Sequence, residues 1–103
     1  MGLVRRSVDG LMDRSLPPQE LALVQSTIQA TLRPGHVIRE LRTRRSGQRR
    51  FVEFKLCVPA ELTVAAAHDE CDALEHALGE ALRRTSVLIH VEPLDTRTAP
   101  QPL

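Results

Sequence analysis

The segment VIRELRTRRSGQRRFVEFKLCV, residues 37–58, reads as strand on both sides of a short turn. A first strand is expected from Val37 to Arg45, a turn at Ser46-Gly47-Gln48, and a second strand from Arg49 to Val58. Successive strand residues point to opposite faces. Val52, Phe54, Leu56 and Val58 therefore share one face, and Phe51, Glu53, Lys55 and Cys57 the other. The result is a β-hairpin with one core face and one polar face.

Downstream of the hairpin, Pro59 ends the strand and Thr63 can cap a helix. Ala67, Cys71, Leu74, Leu78, Ala81 and Leu82 then form an apolar stripe of helical period, so this helix is expected to run to about Arg83. A last strand is read from Ser86 to Glu92, with Val87, Ile89 and Val91 inward, Leu88, His90 and Glu92 outward, and Pro93 as its stop. Upstream, Pro17-Pro18 suits a helix start, Leu21, Val24, Ile28 and Leu32 follow at helical spacing, and Pro34-Gly35 ends that helix. Two strands joined through a helix in one sheet need a right-handed crossover, which makes the second and third strands parallel. The expected architecture is α+β, in the order αββαβ, with a three-stranded mixed sheet and two helices on one face.

The flanks read differently. Residues 1–16, with Arg5, Arg6, Asp9, Asp13 and Arg14, form a lead-in without a long period. The folded domain is expected over residues 17–93. Residues 94–103, with Pro100 and Pro102, read as a disordered tail. The 103 residues carry a formal net charge of +1, without the one-sided charge of a general nucleic-acid binder. Arg42, Arg44, Arg45, Arg49 and Arg50 flank the hairpin turn, but no aromatic residue lies between them to stack on a base, and ion pairs to Glu40 and Glu53 are expected instead. With two Phe and no Trp or Tyr, the core must be aliphatic. Two cysteines are too few for a disulfide framework and no signal peptide opens the chain, so a reducing, cytosolic setting is expected. No apolar stretch approaches the roughly 20 residues that span a bilayer. Neither a nucleophile with its base nor a phosphate-binding glycine loop can be assigned, which argues against an enzyme.

The sheet face opposite the helices bears Glu53, Lys55, Cys57, Leu88, His90 and Glu92. Phe51 and Leu88 on that face suit self-association into a symmetric dimer; the alternative is a solvated surface with two stray apolar residues. His90 and Glu92 are two apart on one strand, so their Cα atoms lie roughly 6.5 Å apart on the same face. One divalent ion can reach both, with further ligands from another segment; a solvated strand is the other reading.

Leu41-Arg42-Thr43-Arg44-Arg45-Ser46-Gly47, Phe51-Val52-Glu53-Phe54, Val58-Pro59, Ala67-His68 and Ile89-His90-Val91-Glu92-Pro93 together resemble the cytosolic C-terminal domain of cation diffusion facilitator transporters, which export zinc and related divalent metals. The resemblance implies a metallochaperone-like (ferredoxin-like) fold and a homodimer that holds Zn2+, or another divalent transition metal, at the subunit interface. His68, His90 and Glu92 match the ligands, with His68 contributed from the partner chain; Cys57, His36, Asp72 and His76 are secondary candidates. It also implies a membrane domain of the same transporter as partner, a cytoplasmic location, and closure of a V-shaped dimer that favours transport. Arg5-Arg6 would then suit the positive flank of a last membrane helix. The chain departs from the pattern at Arg39 and Lys55, where zinc-loaded members often carry His. Either one ion remains at His68, His90 and Glu92, or Arg39 and Lys55 form salt bridges that replace metal charge and hold the dimer. A stand-alone soluble dimer that buffers or senses metal is the competing reading.

Overall fold

The computed structural model describes residues 15–94, which form α1 (Pro18–Thr31), β1 (Val37–Ser46), β2 (Arg49–Val58), α2 (Val64–Ala81) and β3 (Thr85–Pro93). The strands lie in the order β1-β2-β3, with β1 antiparallel and β3 parallel to β2. This is the expected αββαβ order. Lead-in residues Arg5 and Arg6 and the tail prolines lie outside the described residues.

Local chemistry sets the element ends. Pro18 occupies the first helical position of α1, where its missing N–H costs nothing. Thr63 caps α2 by accepting a hydrogen bond from the Ala66 amide at 3.0 Å, a contact worth about 1 kcal/mol. α2 stops at Ala81, two residues short of the expected end: Leu82 is already extended (φ −133°, ψ 124°), and Arg84 then takes a left-handed backbone (φ 55°) that turns the chain into β3. The carbonyl of Arg84 then accepts from the Arg50 amide at 2.8 Å, which locks the start of β3 beside β2.

The core lies between the helices and one face of the sheet. Val52, Phe54, Leu56 and Val58 of β2 meet Val24 and Ile28 of α1 and Leu74 and Leu78 of α2, all nearly or fully buried. Each such side chain contributes about 1.5–3 kcal/mol by leaving water. Leu16, ahead of α1, also joins this cluster, and the Leu94 amide bonds to the Val58 carbonyl at 2.7 Å. Val91 departs from expectation. It sits opposite Leu56 on the core side yet is 45% exposed, because β3 is an outer strand with a neighbour on one side only.

Glu70 was not anticipated in the core. It lies on the apolar stripe of α2, one turn from Ala67 and from Leu74, and is 1% exposed. Its Oε1 is 2.6 Å from His36 Nδ1 and its Oε2 accepts from the Arg33 amide at 3.1 Å. One buried carboxyl group thus ties α2 to the segment that links α1 to β1, and satisfies polar groups that burial would otherwise leave costly.

Candidate metal site on the open face of the sheet

The face of the sheet away from the helices is built by strand alternation and by one irregularity. In the β2–β3 register, Glu53 lies beside Leu88, Lys55 beside His90, and Cys57 beside Glu92. β1 adds Arg39 opposite Lys55 and Arg42 opposite Glu53, with a register shift between them. That shift is a bulge at Glu40, whose φ of 55° is the left-handed conformation such bulges use. The alternation of an even strand would not predict where Glu40 points; in the bulge its carboxylate reaches Lys55.

Two paired groups result. His90 Nε2 is 3.1 Å from Glu53 Oε2, both about half exposed. Lys55 Nζ donates to Glu40 Oε2 at 3.1 Å and lies 3.6 Å from Glu92 Oε2. The Glu40 hydrogen bond and charge, followed by the Glu92 charge, raise the Lys55 pKa above its ordinary value. A shallow cavity of about 220 Å³ between the two groups is lined by Glu40, Arg42, Glu53, Phe54, Lys55 and His90. Further toward the hairpin turn, the Arg44 guanidinium covers the Phe51 ring at 3.9 Å from its centroid, a cation–π contact. Leu88, beside it across β2, remains 55% exposed.

The structure distributes the candidate ligands as follows. His90 and Glu92 share the open face, as read from the sequence, but each is engaged by a neighbour on β2. His68 lies near the start of α2, well exposed, with Nε2 3.2 Å from Asp72 Oδ2 one helical turn on. His76 is exposed a further turn along. Cys57 is 2% exposed, and burial, outweighing the opposing pull of Arg39, pushes its thiol pKa up, away from the thiolate that binds metal. His36 is packed inside against Glu70, its side chain 7% exposed. Among the described residues of one chain, no three His, Cys, Asp or Glu side chains converge to hold a metal ion. The donor chemistry suits a divalent ion in part. Imidazole and carboxylate are present in pairs, while the Lys55 ammonium already holds Glu92.

Sequence reading missed one contributor to this face, Glu40. Glu40 enters the face through the bulge, and its own left-handed backbone leaves no mark in the residue type. Glu53 and Glu40 were also expected to pair with the hairpin arginines. Instead Glu53 meets His90, Glu40 meets Lys55, and Arg50 forms a two-pronged pair with Glu20 of α1 at 2.8 Å on each arm.

An αββαβ domain with a carboxylate- and histidine-bearing open sheet face is the class of molecule these observations define, and sequence comparison fixes its family. Residues 16–94 match the cytoplasmic domain of cation efflux proteins, and the chain belongs to that family. It is 37% identical over 93 residues to an uncharacterized transporter of Synechocystis, covering 90% of this chain and 30% of the relative. It is 36% identical over 90 residues to the cation-efflux pump FieF of Pectobacterium atrosepticum, covering 85% of this chain and 29% of that pump. The chain therefore spans about three tenths of the length of these relatives. Among solved structures, the zinc form of the transporter CzrB superposes with a TM-score of 0.74 at 39% identity, covering 85% of this chain and all of that one. No helix among the described residues is long and apolar enough to cross a membrane.

Proposed function

We propose that this chain is the regulatory dimerisation domain of a divalent cation efflux transporter. Two copies associate through their open sheet faces, and a metal ion, zinc first, binds at the interface and favours the closed, transport-competent dimer. The membrane domain of the same transporter joins through the segment ahead of Ser15. The observation that carries this reading is that His90, paired with Glu53, and Glu40 and Glu92, both paired with Lys55, lie on one sheet face that also exposes Leu88. The likeness to CzrB in its zinc form supports it. His90, Glu92 and the partner chain's copy of the exposed α2 histidine, His68, would hold the ion, with Glu53 as the His90 partner that orients the ring. The ion supplies a double positive charge that offsets carboxylates of both chains. For it to shift the dimer, it must bind the closed arrangement better than the open one.

A second reading is favoured by one contact. Lys55 lies between Glu40 and Glu92, so an internal ammonium already neutralises part of the face. On this reading the dimer forms without metal.

Isothermal titration of zinc, with light scattering for oligomeric state, separates the two. The first reading expects saturable zinc binding to a dimer, lost in His90→Ala. The second expects a dimer that ignores zinc until Lys55→Gln releases Glu92. A monomer with no zinc uptake in either form would refute both.

A further inference from the structure

One end of the domain collects arginines from two separate turns. Arg45 flanks the β1–β2 turn, Arg50 follows it, and Arg83 and Arg84 make the α2–β3 turn; with Gly47 and Gln48 they ring an open depression of about 460 Å³. Arg50 is already occupied, gripping both Glu20 oxygens and donating to the Arg83 carbonyl at 2.8 Å. Arg84 donates to Gln48 Oε1. Arg45 lies close enough to Glu20 to help hold that carboxyl below its ordinary pKa. Arg45, Arg83 and Arg84 are exposed.

Two features suggest that the charge of this end is used. Arg84 holds a left-handed backbone, φ 55°, where glycine would carry no steric penalty. An arginine kept in a strained position points from geometry toward function. The end is also where the chain comes into the domain. Glu20, in the first turn of α1, is bound here, and the Leu16 amide meets Thr43 Oγ1 at 3.5 Å. Thr43 is about 10 Å along β1 from the turn at the strand rise of roughly 3.3 Å per residue.

We propose that this arginine end is a docking surface for an anionic membrane, its lipid phosphates received by Arg45, Arg83 and Arg84. The inference rests on the reading above, in which the segment ahead of Ser15 leads to a membrane domain, because that tether turns this end toward the bilayer. A surface fits better than a single soluble anion. The exposed guanidinium groups come from different turns, and the half-buried one, Arg50, is committed to Glu20. Cations near a negatively charged leaflet are attracted without insertion, which suits an end bearing arginines.

The test is flotation of the chain with vesicles of phosphatidylcholine and phosphatidylglycerol (1:1) or of phosphatidylcholine alone, with a metal chelator present. The chain is expected to float with the anionic vesicles only. Each arginine should contribute about fivefold to partitioning, so the triple variant Arg45→Gln, Arg83→Gln, Arg84→Gln should lose about two orders of magnitude. Arg84→Gly should weaken binding about fivefold while its melting temperature holds or rises. Arg33→Gln, beyond the far end of α1, removes equal charge and should change nothing. The proposal is overturned if the triple variant floats like the wild type, if Arg33→Gln matches Arg84→Gly, or if millimolar inorganic phosphate at constant ionic strength releases the chain. Vesicle binding without any zinc response would sink the metal-bridged reading alone; a zinc response without vesicle binding would sink this one alone.

Discussion

Replacing Glu70 by alanine should be among the most damaging single changes to the fold. The side chain is 1% exposed, and two groups depend on it: the His36 ring at 2.6 Å and the Arg33 amide at 3.1 Å. Each buried partner left unsatisfied costs about 1–3 kcal/mol. Removing one member of a buried pair costs about 3–5 kcal/mol in other systems. An expected loss of about 3 kcal/mol takes the low end of that range, since Arg33 lies near solvent. For a domain of about 80 residues the whole stability is on the order of 4–12 kcal/mol. The melting temperature should then fall by at least about 12 °C. Glu70→Gln, which keeps an acceptor for the Arg33 amide, should cost about half as much. Urea unfolding followed by far-ultraviolet circular dichroism measures this, because the chain has no Trp or Tyr for fluorescence. All variants must be compared at one protein concentration, since any self-association would add to apparent stability. A double-mutant cycle with His36→Ala should return a coupling of at least about 1 kcal/mol. A Glu70→Ala loss under about 0.5 kcal/mol, or a coupling near zero, would refute the claim that this pair fastens α2 to the α1–β1 link.

Three further outcomes follow from the packing and the charges. Leu56→Ala should cost about 2–5 kcal/mol in the same unfolding assay, whereas Val91→Ala, on the same sheet face but 45% exposed, should cost no more than about 1 kcal/mol. Arg50 lowers the Glu20 pKa in the folded chain below its ordinary 4.5, chiefly by hydrogen bonding; the pair's contribution is present above pH 4.5 and fades as pH falls through the depressed value. Glu20→Gln should therefore flatten the acid limb of stability against pH while leaving the neutral-to-alkaline limb parallel to the wild type. Burial raises the Cys57 thiol pKa, so a thiol reagent at pH 8 should label it much more slowly in the native chain than in urea; equal rates would show that the thiol is accessible.

The elements of the fold were legible because their periods are clean. β2 alternates cleanly from Val52 to Leu56, and its bounds at Arg49 and Val58 agree with the structure. The helix starts were equally readable, since Pro18 and Thr63 act through their own residue chemistry, whereas the stop of α2 was read two residues late. Glu70 was hidden for the opposite reason. A carboxylate between Ala67 and Leu74 reads as an intrusion of the solvated face, and only the arrival of His36 from another segment makes its burial affordable. The Arg50–Glu20 pair is of the same kind: both partners are visible in the sequence, but their meeting depends on how α1 lies across the sheet.

The site shows a sharper limit. That His90 and Glu92 share a face follows from strand geometry alone. What occupies them follows from register, and the register is set partly by the Glu40 bulge. Without the bulge, the residues of β1 beyond Arg39 would meet β2 one position out of phase, and the cavity-lining arginine, Arg42, would not stand opposite Glu53. With it, the described part of this face carries Arg39, Arg42 and Lys55 alongside Glu40, Glu53 and Glu92. Around the cavity these three cations match the three anions, and Arg44 and Arg49 add positive charge toward the hairpin turn, so the face has no excess of anions before any ion arrives. A dication reaching Glu92 must therefore compete with Lys55, whereas one reaching His90 competes only with the proton or hydrogen bond shared with Glu53. Metal affinity in this chain should consequently depend more steeply on Lys55 than on any residue that contacts the ion only weakly. Lys55→Gln and His90→Ala should move zinc binding in opposite directions.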